Sequence, residues 1–263
     1  MSGFNERPLI SVLQEAVDEE NGGIAGLERA AKMLAGGPRD VATLLSWCMS
    51  APDHWRQIAD RAYYHPNGFT KFVLYDEPDC LFRLRLHVWT GESGRNARGE
   101  QNVHGHRWDF ASTVIAGRGL CIDEYVLSDA AEAPCDAHGA PYRAYEYRPH
   151  GGHDVTGAER AVEGDLVAVG EVHLQHAVRF SPATGGTYAC TTDKLHTVVP
   201  VGDDLTATLI VQGPNLTDGA PVFRRADQPV QASPVPLTVA EARHVMDATI
   251  VEVRRSWRLA SGY

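Results

Sequence analysis

The chain has 263 residues and a formal net charge of −10, with a mass of 28.7 kDa and a pI near 5.6. That length can bury a sizeable core, and 43% hydrophobic with 22% charged residues is ordinary globular composition. The acidic balance argues against nucleic acid, whose phosphates it would repel, and no apolar run is long enough to span a bilayer.

The N-terminus has no apolar secretory core, so a cytoplasmic location without membrane attachment is expected. Five cysteines (Cys48, Cys80, Cys121, Cys135, Cys190) are scattered without a Cys-x-x-Cys pair, which suits reduced thiols. Cys121 and Cys190 fall in expected strands and read as small core residues. The sequon Asn215-Leu216-Thr217 has meaning only in a secreted chain.

Residues 1–65 read as a helical N-terminal region. Leu9, Val12, Leu13 and Val17 repeat at helical spacing, as do Leu27, Ala31 and Leu34, and Gly22-Gly23 and Gly36-Gly37-Pro38 punctuate them. Residues 66–216 then change to β patterning, in runs rich in valine, threonine and aromatics. These are Phe69 to Tyr75, Leu81 to Trp89, Phe110 to Val126, Leu166 to Val169, Tyr188 to Thr191 and Leu205 to Gln212. Many short strands without intervening helices imply an antiparallel sandwich or barrel. Residues 217–263 read as a proline-rich link (Pro229, Pro234, Pro236) and a C-terminal helix from Val239 to about Trp257. Thr238 is placed as its N-cap and Glu241 at the capping-box position. The terminal helices are suited to capping an open barrel edge or building a homodimer interface.

The chemistry concentrates in Val103-His104-Gly105-His106-Arg107-Trp108-Asp109-Phe110 and, some ninety residues on, in Lys194-Leu195-His196-Thr197-Val198. Side chains two apart on a strand share a face, so His104 and His106 point the same way, and one histidine from a neighbouring strand closes a facial set of three nitrogens. His196 is the leading third ligand. His173 and His176, which follow Gly164-Asp165-Leu166-Val167-Ala168-Val169, are the alternatives. Strict alternation turns Asp109 to the opposite face, so a 2-His-1-carboxylate set needs a bulge there; a partner for Arg107 or a supporting acceptor is the other reading. Trp108 shares the parity of the histidine pair and reads as a pocket wall or a core ring. Along Phe82 to Trp89, Phe82, Leu84, Leu86 and Val88 form one face and Arg83, Arg85, His87 and Trp89 the other. That second face is either solvated or lines an interior where Arg85 clamps a carboxylate. Lys71 carries the same two readings.

His104-Gly105-His106 followed by Gly117 resembles the first motif of the cupin superfamily, with Phe110 in the slot of the usual glutamate ligand. Gly185 and His196 keep the spacing of the second motif's glycine and histidine, whereas Thr191, Asp193 and Pro200 depart from it. A cupin without the glutamate is similar to the three-histidine branch typified by the thiol dioxygenases. Tyr188 to His196 and Ala207 to Pro214 resemble their last two site strands, Phe69-Thr70-Lys71 their early strand with its carboxylate-holding basic residue, and Trp89 the tryptophan before their histidine pair. Ala111 stands where some members carry a crosslinking cysteine, and nothing after Pro214 matches their later histidine and tyrosine.

The resemblance implies a cupin-type β-barrel and a mononuclear Fe(II) dioxygenase or oxidase, taking O2 and a small carboxylate-bearing metabolite such as an amino acid or a thiol. His104, His106 and His196 then bind the metal, and Lys71, Arg85, Trp108 and Tyr188 meet the substrate. Zinc, manganese, nickel or copper also accept three histidines. The rival readings are a redox-neutral metal-dependent isomerase or cyclase and a small-molecule-binding cupin without turnover.

Overall fold

A computed structural model describes residues 7–76, 81–90, 102–129, 141–149, 164–225 and 234–260. Cys80, Cys135 and Pro229 lie outside them. Four helices come first: α1 (Arg7–Asp18), α2 (Ile24–Gly36), α3 (Pro38–Cys48) and α4 (Pro52–Ala59). The strands are β1 (Tyr63–His65), β2 (Phe69–Asp76), β3 (Arg83–Trp89), β4 (Val103–His104), β5 (Trp108–Ala116), β6 (Leu120–Ser128) and β7 (Tyr142–Pro149). They continue with β8 (Gly164–Phe180), β9 (Thr187–Cys190), β10 (Leu195–Pro200), β11 (Thr206–Asn215), β12 (Ala220–Arg225) and β13 (Val235–Pro236), and α5 (Val239–Ala260) closes the chain.

The strands form two antiparallel sheets. One runs β13-β1-β2-β3-β11-β5-β9; the other is a ring, β10-β4-β12-β7-β8-β6, closed by β6 against β10. This is the mainly β, antiparallel architecture with helices at both ends that the sequence predicts. The alternation along β3 sets the layers. Leu84, Leu86 and Val88, with Ala207, Leu209 and Val211 of β11, pack outward against Leu13, Leu27, Leu45, Ile58 and Met246 of the helices. Removing that much apolar surface from water is what holds the helices to the sheet. The opposite face of the same sheet meets the second sheet, where Phe69, Trp89 and Val114 pack with Leu120, Ile122 and Val198. The polar face of β3 is therefore the interior of the molecule and not a solvated surface: Arg85 is 6% exposed and Trp89 2%.

α5 starts as its sequence indicates. The Thr238 backbone N–H donates to Glu241 Oε2 (2.8 Å), and the Glu241 N–H donates to Thr238 Oγ1 (3.2 Å), a reciprocal capping box. Its far end is tied to β5 through Trp257 Nε1–H to the Ile115 carbonyl (3.1 Å) and the Gly117 N–H to Ser256 Oγ (3.1 Å).

Several boundaries differ from expectation. The helical region ends at Ala59, because Tyr63–His65 already pairs with β2. The expected strand from Phe110 to Val126 is two strands, divided at Gly117-Arg118-Gly119. Gly117 there has φ +92, and a Cβ on it would lie 2.5 Å from Thr206 Oγ1. Only glycine fits that turn. β12 and β13 occupy the expected link, and β12 belongs to the ring, flanked by β4 and β7. β7, whose Tyr142-Arg143-Ala144 opens with buried and exposed residues in alternation, is a further strand beyond the expected runs. No helix among the described residues is long and apolar enough to cross a membrane.

Candidate metal centre

Between His104 and Trp108 the chain leaves one sheet for the other. β4 pairs with β10 and β12, while β5 pairs with β11 and β9. His104 and His106 thus do not share a continuous strand, contrary to the alternation argument; His106 lies in the crossing segment. Gly105 makes the crossing possible. Its N–H donates to the Pro221 carbonyl (2.9 Å), and a Cβ on it would come within 2.9 Å of Pro221 Cγ. The close approach to β12 turns His106 back beside His104.

His196 completes the group, sitting directly opposite His104 in the β10–β4 register. The three rings form a nearly equilateral triangle, with centroids 5.0 Å (His104–His106), 4.9 Å (His104–His196) and 5.0 Å (His106–His196) apart and edges turned to faces. Their ligand nitrogens all lie within 4.8 Å of one another. His106 Nε2 and His196 Nε2 are 3.0 Å apart. Two imidazole nitrogens held about 2.1 Å from one metal at a right angle stand about 3.0 Å apart, so this spacing fits a shared ion. The far side of two rings is occupied in the way such ligands require. His104 Nδ1 is 3.0 Å from the Asn102 carbonyl, which fixes the tautomer that leaves Nε2 free, and His196 Nδ1 is 3.7 Å from Cys190 Sγ. Burial pushes the Cys190 thiol up, keeping it protonated.

Burial also lowers all three imidazoles, His106 and His196 well below the ordinary histidine value and His104 less, since its hydrogen bond to Asn102 opposes the effect. Neutral imidazole is the form that donates a lone pair to a metal. The three residues can therefore hold a divalent ion and add no charge of their own.

Around this triangle the walls are aromatic and cationic. Phe110, in the slot of the usual carboxylate, sets its ring edge-on to His106 (4.9 Å) and His196 (6.1 Å). Trp108 lies 4.6 Å from His106, and the Arg85 guanidinium rests 5.1 Å over Trp108. Lys71, 6% exposed, donates from Nζ to the Tyr63 hydroxyl (2.8 Å). Tyr188 stands one ring further back, against Phe110 (5.7 Å) and Phe180 (6.3 Å), with its hydroxyl pushed up by burial. His65, Phe69 and His87 form a stack, at 4.4 and 4.2 Å between successive rings. Both histidines are held well below the ordinary value, first by burial and then by the charges of Lys71 and Arg85.

The alternatives fall elsewhere. His176 Nε2–H donates to Asp123 Oδ1 (2.9 Å) on the half-exposed face of β8. Asp123 is also gripped by Arg179 at 2.6 and 2.8 Å, the main reason its carboxyl is lowered. His173 pairs with Ser128 in the β8–β6 register, away from the triangle. Asp109 Oδ1 accepts the Thr192 N–H (2.8 Å) and so pins the turn that delivers β10, with no part in the triangle itself. The sequence reading did not single out His65, or Phe110 as a wall. Only the empty carboxylate slot pointed to Phe110, and nothing local marked His65.

No family model matches the chain, and no curated protein matches it. Among solved structures it is similar to protein SO0799 from Shewanella oneidensis, with 13% identity over 61% of this chain and 77% of that one, at a TM-score of 0.31. It is also similar to a structure described as the DMSP lyases RdDddP and RnDddQII (12%, 65% and 53%, 0.25) and to Rru_A2000 from Rhodospirillum rubrum, described as a cupin-2 domain (12%, 71% and 80%, 0.22). The chain spans about half the length of the lyase it matches. Its own topology and histidine triangle define the class: an antiparallel, two-sheet β protein with three buried imidazoles placed to hold a metal.

Proposed function

We propose that the chain is a mononuclear metal enzyme, with His104, His106 and His196 as ligands to Fe(II), acting as a dioxygenase or oxidase on a small carboxylate-bearing metabolite such as an amino acid or a thiol. The observation that carries this reading is the pairing of a charge-neutral ligand triangle with two buried cations, Lys71 and Arg85, in one interior. Three imidazoles leave the ion's charge uncancelled, so an anionic substrate is electrostatically welcome beside it. Bound Fe(II) would supply open positions for substrate and oxygen and the redox capacity for an oxygenase.

The protein's own groups do the rest. Arg85, stacked on Trp108, offers a planar donor fork to a carboxylate, and Lys71, steadied by Tyr63, offers a point charge. Phe110 and Trp108 keep water from the ligand face. Tyr188 supports Phe110 from behind, and in this reading its place among the substrate-contacting residues passes to Phe110.

The test is oxygen uptake by the Fe(II)-loaded protein against a panel of amino acids, thiols and other small carboxylates. Uptake matched to product supports the reading. Turnover without uptake points to isomerisation or cyclisation on the same site, and binding without turnover to a carrier.

A further inference from the structure

Four polar side chains lie in register across four neighbouring strands of the first sheet: Tyr63 opposite Lys71, Lys71 opposite His87, and His87 opposite Thr208. Directly opposite residues of antiparallel strands share a face, so the row runs along the wall that meets the second sheet. Its two halves differ. Tyr63 and Lys71 are joined by a hydrogen bond of 2.8 Å. His87 Nε2 and Thr208 Oγ1, side by side in the other half, are both buried and have no hydrogen-bond partner among the described residues. Thr208 is completely buried. Buried polar atoms are usually satisfied; Trp89 Nε1, Ser112 Oγ and Gln212 Oε1 of the same sheet also lack a partner among the described residues, but His87 and Thr208 stand directly opposite each other across β3 and β11.

Packing does not explain them. His87 is held on one side by the Phe69 ring at 4.2 Å and on another by the edge of Trp89 at 6.2 Å, so its orientation is determined while its Nε2 is left open. It stands two residues from Arg85 on the same face of β3, and the Arg85 guanidinium rests 5.1 Å over Trp108, itself 4.6 Å from His106. The orphaned pair is therefore close to the metal centre and adjoins Lys71.

We infer that His87 and Thr208 form a hydrogen-bonding subsite for an uncharged polar group, a hydroxyl in the first instance, on the same substrate whose anionic end Lys71 and Arg85 hold. The Thr208 hydroxyl both donates and accepts, and the imidazole nitrogen does one or the other according to its tautomer, so in either form the pair can meet both the O–H and the lone pairs of an alcohol. Charge sorts the two ends of the substrate: a carboxylate gains more from the buried cations Lys71 and Arg85, which leaves this neutral pair to an uncharged group. The inference rests on the anionic-substrate reading above and sharpens it: the substrate class becomes small hydroxy acids, or acids with an equivalent donor–acceptor group.

The experiment is calorimetric titration of the cobalt(II)-loaded protein with butanoate and with 2-, 3- and 4-hydroxybutanoate. One hydroxy acid is expected to bind on the order of tenfold more tightly than butanoate, the worth of a well-made neutral hydrogen bond. Thr208→Val and His87→Phe are each expected to bring that acid down to the affinity of butanoate, leaving butanoate binding and cobalt content unchanged. Thr208→Val keeps size and burial, so it decides the matter even where His87→Phe folds poorly. Butanoate binding with no hydroxyl preference, or a preference that survives both variants, overturns the subsite alone. Failure of all four acids to bind overturns the anionic-substrate reading, and the subsite falls with it.

Discussion

His104 and His196 face each other directly across the antiparallel pairing of β4 with β10. Residues ninety-two positions apart in the chain are thereby made nearest neighbours, and His106 needs only the turn at Gly105 to complete the triangle. The arrangement is built by backbone hydrogen bonding, so it does not depend on an ion to hold the strands in place.

Replacing any one of His104, His106 or His196 by alanine is accordingly expected to remove metal while preserving the fold. Elemental analysis after metal loading, beside circular dichroism, checks both halves. His173→Ala and His176→Ala should load normally, since those side chains lie outside the triangle. Full occupancy in the three ligand variants would reduce the cluster to a packed trio of rings.

Asp109→Ala separates a supporting carboxylate from a ligand. Loss of its charge-assisted bond to the Thr192 N–H should lower stability by about 1.5–3 kcal/mol. Metal is expected to remain at one ion per chain. A stable variant without metal would instead place Asp109 among the ligands.

Stability of the metal-free protein should fall with acid. His65, His87, His104, His106 and His196 are all lowered by burial. Below the ordinary imidazole value near 6.5 the unfolded chain takes up protons that the folded chain refuses, so stability declines as pH drops from about 6.5 towards the folded values. Each histidine that stays neutral contributes a slope of about 1.4 kcal/mol per pH unit in that window. Urea denaturation of chelated protein at pH 7.5, 6.5 and 5.5 measures it. Equal midpoints at all three values would mean that these rings protonate freely in the folded state.

Lys71→Met and Arg85→Met should each weaken binding of a small carboxylate, with metal content unchanged. A hydrogen bond to a charged group contributes about 1.5–3 kcal/mol, equivalent to roughly a ten- to hundredfold loss in affinity. Calorimetry with butanoate on the cobalt-loaded protein reads it directly. Undiminished affinity in both variants would assign the two cations a purely structural role.

Much of this was legible in the residues themselves. Period-two patterning in β3 and the Thr238–Glu241 box at the start of α5 are local features, since each element's own side chains declare which face is apolar or which terminus is capped. The histidines of Val103 to Phe110 and Lys194 to Val198 were visible as types and spacings. What local pattern cannot convey is which strands become neighbours. That His106 sits in a crossing between sheets, that β12 lies in the expected link, and that Arg85 and His87 face an interior and not water all depend on pairings between distant segments. Alternation states that a strand has two faces. Only the tertiary structure, by placing helices on one face and a second sheet on the other, decides which of them is the inside.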